Sequence, residues 1–134
     1  MGDEELLEEV TEASLQMAKA TVKKGLDSAG GLMNEAEPDG HMDTDRHWWP
    51  QAEAMVGFFN AYQLTSKEQW LEYALNNWNF VQQNLKDKTT GEWHWRVDEQ
   101  GQVCREEDLA GPWKAPYHNS RACMELIRRI EKVS

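Results

Sequence analysis

Apolar residues recur with helical spacing in four stretches of the chain, separated by two long segments with no sustained period. In residues 3–24, Leu6, Val10, Ala13, Met17 and Ala20 step by four and three and so share one face of a helix. Asp3, Glu4 and Glu5 at its start and Lys23 and Lys24 at its end suit the helix dipole, and Gly25 serves as a C-terminal cap. The flanking Glu8, Glu9, Glu12 and Lys19 predict an outer helix with one solvated side. Residues 25–47, with their glycines, aspartates and one proline, read as a long loop.

Pro50 suits the first turn of a second helix, because the amide hydrogen it lacks would have no partner there. Over residues 50–64, Ala52, Met55, Phe59 and Tyr62 form a stripe that Ala54, Phe58 and Ala61 widen, so this helix is apolar around most of its circumference and should be nearly enclosed. Glu53 is the exception within it. A carboxylate there is either paired or lining a wet cavity, or it is a first-turn acid answering the helix dipole. Thr65-Ser66-Lys67-Glu68 has the spacing of a capping box, and Leu71, Ala74, Trp78, Val81 and Leu85 then predict a third, amphipathic helix antiparallel to the second. Alternation over 91–97 and the turn residues 98–101 predict a short hairpin returning at Gln102-Val103-Cys104. Two prolines hold 111–118 extended, and Asn119 or Ser120 can cap a last helix running to Lys132, with Cys123, Leu126 or Ile127, and Ile130 as its stripe.

The prediction is an all-α chain of two helical hairpins that alternate amphipathic and apolar-all-round, the order of outer and inner helices in an α/α toroid. A closed ring of six hairpins at about 60 residues each would need roughly three times this chain, so two hairpins leave lateral apolar edges. Either copies of the chain cover those edges, as a homo-oligomer, or the chain is a piece of a longer protein.

With 24 acidic against 14 basic side chains among 134 residues, the net charge is −10, which argues against nucleic acid or an anionic membrane as partner. No apolar run approaches the roughly 18 to 20 residues that cross a bilayer. No secretory signal is recognisable, and Cys104 and Cys123 are too few and too separated for a disulfide framework or a zinc knuckle. Together these predict a cytoplasmic chain with reduced thiols. Tryptophan changes the picture. There are seven, four of them in the pairs Trp48-Trp49 and Trp93-x-Trp95. They either fill a core, where each ring buries about 150 to 250 Å², or form a wall on which sugar rings stack; composition does not choose.

The string from Arg46 through His47-Trp48-Trp49-Pro50-Gln51-Ala52-Glu53-Ala54, its continuation from Met55 to Gln63, Gly91-Glu92-Trp93-His94-Trp95, and Trp113-Lys114-Ala115-Pro116-Tyr117-His118-Asn119 resemble the N-acylglucosamine 2-epimerase superfamily, with the greatest likeness to cellobiose 2-epimerases. The likeness runs from about Leu6 onward and covers the family's C-terminal third, so residues 1–134 are expected to be the C-terminal segment of an (α/α)6-barrel epimerase domain.

The resemblance implies a sugar pocket at one end of the barrel, and epimerisation at C2 of a ring-opened aldose through an enediolate, with no redox cofactor or metal. Two histidines act as general acid and base. Such chemistry asks for two groups flanking one carbon with proton affinities near neutrality, which imidazole supplies. By its place in the motif His118 corresponds to one of them; alone it would read as a loop histidine next to the last helix. Trp48 and Trp49 match tandem tryptophans near the substrate, Glu53 a pocket carboxylate able to bind sugar hydroxyls, and Trp113 a stacking residue. Trp93 and Trp95 can be pure packing. His41, His47 and His94 are scattered singly and suggest no metal site.

The chain departs from the family at Ala115, where relatives usually carry cysteine, and the family's first catalytic histidine, in a His-Asp-x-Glu type segment, would precede residue 3. The expectation is therefore a chain inactive by itself, with Met1-Gly2 reading as the start of an excised or naturally truncated segment. The alternatives are a non-catalytic sugar-binding or assembly module, or action on N-acylglucosamine or free mannose.

Overall fold

The computed structural model describes residues 2–132; Met1, Val133 and Ser134 lie outside the described residues. Four helices carry it: α1 (Asp3–Lys24), α2 (Trp48–Thr65), α3 (Glu68–Phe80), prolonged by a π-helical turn over Val81–Leu85, and α4 (Tyr117–Glu131). Between them lie two-residue strands β1 (Glu35–Ala36), β2 (Met42–Asp43), β3 (Arg46–His47) and β4 (Arg96–Val97). The chain is all-α, and α2 is its axis, packing against α1, α3 and α4. As its all-round apolar pattern predicts, Ala52, Ala54, Met55, Phe58, Phe59 and Ala61 are all buried. Toward the start of α2 a core forms with Phe80, Val81, Leu85, Trp93, Val97 and Ala122. A second, around Phe58, Ala61, Trp70 and Ala74, lies nearer its end.

Several boundaries differ from expectation for physical reasons. α2 begins at Trp48, two residues before Pro50, which is then the third helical residue and still needs no amide hydrogen. The capping box does not form. The Thr65 hydroxyl donates to the Ala61 carbonyl at 2.7 Å within α2, Ser66 takes the left-handed conformation that ends the helix (φ 55°), and Lys67 precedes α3 with no side-chain cap. α4 starts at Tyr117, ahead of both expected caps, and follows Pro116 directly. On α1 the buried face is Leu15, Ala18 and Val22, whereas Leu6, Val10 and Met17 of the expected stripe stay exposed. Two faces of this helix carry three-and-four spacing, and among the described residues the one bearing Leu15, Ala18 and Val22 packs into the core.

The expected hairpin is reduced to a single bridge between Val97 and Val103; β4 pairs antiparallel with β3, Arg46 opposite Val97 and His47 opposite Arg96. β1 and β2 pair likewise within the first loop. That loop is fixed to α2 and α3 by two fully buried amides. Gln51 Nε2 donates to the Leu32 and His47 carbonyls at 2.8 and 2.9 Å, and its Oε1 accepts from Leu32 N–H and Asn77 Nδ2 at 2.7 and 2.9 Å. Asn77 Nδ2 also donates to the Gly30 carbonyl at 2.7 Å. Gly30 itself has φ 87° and lies so close to the Asn76 carbonyl that a Cβ would collide with it, so glycine is required there. Arg96 gathers the second loop, bonding Asp45, Glu107 at 2.7 Å and Glu106 at 3.3 Å. No helix among the described residues is long and apolar enough to cross a membrane.

Candidate sugar site at the starts of α2 and α4

The first turns of α2 and α4 meet the loop that carries Trp95, and they bring together four of the five expected site residues. His118, the second residue of α4, turns its ring toward α2: Nδ1 lies 2.8 Å from Glu53 Oε1, and the ring centroid is 6.0 Å from Trp49 and 6.5 Å, edge-on, from Trp48. Arg121, one turn further along α4, donates to the other Glu53 oxygen. Because α2 starts at Trp48, Glu53 is its sixth residue, beyond the turn where a helix dipole acts. Its role is pairing with α4. Burial works against charge on Glu53, but the hydrogen bonds from Arg121 and His118 outweigh it and hold the carboxyl below the usual carboxylate range.

This arrangement sets the chemistry of the imidazole. An ionised carboxylate can only accept, so Nδ1 carries the proton and the neutral ring's lone pair sits on Nε2. Nε2 has no hydrogen-bond partner among the described residues. A base held through one nitrogen with the other free is the arrangement that general acid–base catalysis uses. Glu53, though engaged on both oxygens, remains 40% exposed, and a carboxylate offers about four acceptor positions, so a hydroxyl can still bind it.

The tryptophans divide by exposure. Trp48 is buried, packed on Trp95 at 5.0 Å and under the Lys114 ammonium at 5.4 Å, so it supports the His118 ring from behind. Trp49 is 40% exposed and presents an accessible face beside His118. A groove of about 560 Å³ runs from Trp49 and Glu53 along α1 and α2 past Met17 to Asn60. Trp113 is 86% exposed on a tight turn closed by a Gly111–Lys114 bridge, and it makes no ring contact with the other site residues. Trp93 is buried in the core, as packing would have it.

Sequence reasoning passed over Arg121, Tyr117, whose ring stands 5.1 Å from His118, and the buried Lys114. Arg121 had a signal, since it follows His118 by three positions on a helix and Glu53 called for a partner. None of the other histidines makes a ring contact with His118 among the described residues. Burial pushes His47 and His94 below the ordinary imidazole range, in His94 despite Asp87 at 3.6 Å. Cys104, Glu106 and Glu107 bring three metal-type donors within 4.8 Å of one another, but the Arg96 guanidinium already bonds both carboxylates.

The Glu53 linkage gives a test by acid. A carboxyl depressed in the folded state adds stability above the usual carboxylate range and loses it as pH falls through that range, because the unfolded chain then binds more protons. Urea unfolding at stepwise lower pH is expected to show a steeper loss for the wild type than for Glu53→Gln. Parallel curves would mean that the carboxylate is not held by its two donors.

Residues 4–122 match the N-acylglucosamine 2-epimerase (GlcNAc 2-epimerase) family. The chain belongs to that family. It is 38% identical over 128 residues to the cellobiose 2-epimerase of Bacteroides fragilis, covering 95% of this chain and 32% of that protein, and 40% identical over 133 residues to that of Dictyoglomus turgidum, covering 97% and 33%. A crystal structure of a sugar epimerase from a ruminal bacterium superposes with a TM-score of 0.88 at 39% identity, covering 96% of this chain and 33% of that one. This member of the N-acylglucosamine 2-epimerase family thus spans about a third of the length of the relatives it matches. Its two hairpins have the arrangement of part of an (α/α)6 barrel.

Proposed function

We propose that the chain is the C-terminal, His118-bearing part of a carbohydrate 2-epimerase of the cellobiose 2-epimerase kind, which interconverts gluco and manno configurations at C2 of a reducing-end sugar. The observation that carries the reading is His118, anchored on Glu53 through Nδ1 at 2.8 Å, with its free Nε2 beside the exposed Trp49 face. In the ring-opened sugar the proton on C2 is acidified by the adjacent aldehyde. Nε2 removes that proton, or returns one, on one face of C2, and the resulting enediolate is reprotonated from the other face. Glu53 balances the imidazolium that forms. Inversion requires a second acid/base group opposite His118, which the remaining two thirds of the enzyme would supply. Trp49 and Trp113 offer stacking faces, Trp48 backs the imidazole, and Glu53 accepts from sugar hydroxyls.

Inversion needs both groups, and each acid or base contributes about 10²- to 10⁴-fold, so this chain alone is expected not to epimerise cellobiose or mannobiose at C2, followed by NMR, while binding both in calorimetry. Clear epimerisation by the isolated chain would contradict the reading as a partial site. Failure to bind gluco- or manno-disaccharides, N-acetylglucosamine or mannose would contradict the sugar pocket. The exposed Trp49 and Trp113 also favour a second reading, a non-catalytic sugar-binding module. Binding that survives His118→Ala unchanged would support it.

A further inference from the structure

Lys114 is the buried charge for which acid–base chemistry at His118 has no use: its side chain is 2% exposed. The ammonium donates to the Leu109 carbonyl at 2.7 Å and to Glu92 Oε1 at 3.2 Å, and lies 5.4 Å over the Trp48 ring. Glu92 Oε1 also accepts from Asn119 Nδ2 at 2.7 Å and from the Trp93 amide at 2.8 Å. One oxygen atom therefore joins the loop after α3, the loop before α4 and the residue next to His118. Ordering both loops costs chain entropy, and while Trp93 anchors the first of them in the core, the second exposes Trp113, Ala115 and Pro116 around Lys114. A desolvated ammonium is tolerated only where strong acceptors meet it, and here the acceptors are the segments that carry the site.

We propose that Lys114 and Glu92 are positioning residues for the sugar site: Lys114 fixes the Trp48 indole directly, and Glu92 fixes the His118 ring through Asn119. The proposal deepens the reading of the site as a sugar pocket and rests on it for its effect on affinity. It does not rest on it for the placement of the two rings. Lys114→Met keeps most of the stem and removes the ammonium, stranding the Glu92 carboxylate. Asn119→Ala cuts only the link from Glu92 to α4.

In the full chain, Lys114→Met is expected to retain helical circular dichroism, to displace the NMR resonances of both the Trp48 indole N–H and the His118 ring, and to weaken disaccharide binding by about tenfold or more. Asn119→Ala is expected to displace His118 and leave Trp48 in place. Adding Glu92→Gln to Lys114→Met, so that no carboxylate is stranded and an amide oxygen still accepts from Asn119, is expected to return the His118 resonances toward the wild type. Ring resonances unchanged in Lys114→Met overturn the proposal, as does a His118 ring unmoved by Asn119→Ala. If the wild type binds no disaccharide, that failure falls on the proposed function, and the ring resonances still decide the positioning role.

Discussion

Gln51→Leu is expected to lower the free energy of unfolding by about 3 kcal/mol or more, because it orphans several buried groups at once. Gln51 is fully buried, and its amide makes four hydrogen bonds, to both backbone groups of Leu32, to the His47 carbonyl and to Asn77. Leucine matches the shape closely but supplies no donor or acceptor. The Leu32 N–H and carbonyl then lose their partner in the core, each at about 1 to 3 kcal/mol, with the Asn77 amide partly stranded beside them. The consequence reaches the site, since Gln51 lies on the same turn as Trp48 and Glu53 and holds the long first loop against it. Urea denaturation measures the loss, and disaccharide affinity should fall with it. A change under about 1 kcal/mol would mean that water or a shifted backbone replaces the bonds.

Phe58→Ala is expected to cost a comparable amount, about 3 to 5 kcal/mol, by a different route. Its ring is 1% exposed, stacked with Trp70 at 6.3 Å and tilted against Tyr73 at 5.7 Å, in the cluster that joins α2 to α1 and α3. The helices cannot close over a vacated aromatic volume, so a cavity term adds to the lost transfer energy. The site residues Trp49, Glu53 and His118 belong to neither this cluster nor its ring contacts. At temperatures where the variant is folded, the His118–Glu53 pair should persist, read from the His118 ring resonances, although Phe58 also lines the groove that starts at Trp49 and Glu53. A small stability loss would show that the cluster collapses around the gap.

The parts of the fold that were legible in the amino-acid pattern are those set by local periodicity. The enclosed character of α2 follows from residues such as Ala52, Met55 and Phe58, and the π-helical turn leaves Val81 and Leu85 buried as the stripe of α3 requires. What the pattern missed depends on distant partners. β4 forms its ladder with β3 fifty residues earlier and keeps a single bridge to Val103, and nothing in 91–104 names the distant partner. Thr65 could cap α3 or close α2, and its hydroxyl turns back to the Ala61 carbonyl within α2.

The site divides in the same way. His118, Trp48, Trp49 and Glu53 are legible as candidates through motif resemblance, and Glu53 also through the physical anomaly of a carboxylate on an apolar helix. The anomaly was resolved by Arg121 and His118, which reach it across sixty-odd positions of chain. Lys114 gave no signal, because a lysine between two prolines reads as solvated loop, and only the meeting of two loops buries it.

The account stands on a sugar ring lying against the imidazole of His118 and the indole of Trp49 together. Intermolecular NOEs between cellobiose or mannobiose and the protein test this directly, with the ring protons of both residues assigned. The account predicts contacts from the same sugar unit to His118 and to Trp49, both lost on Trp49→Ala. Contacts to Trp113 or another exposed ring alone, with the His118 imidazole untouched by bound sugar, would contradict it.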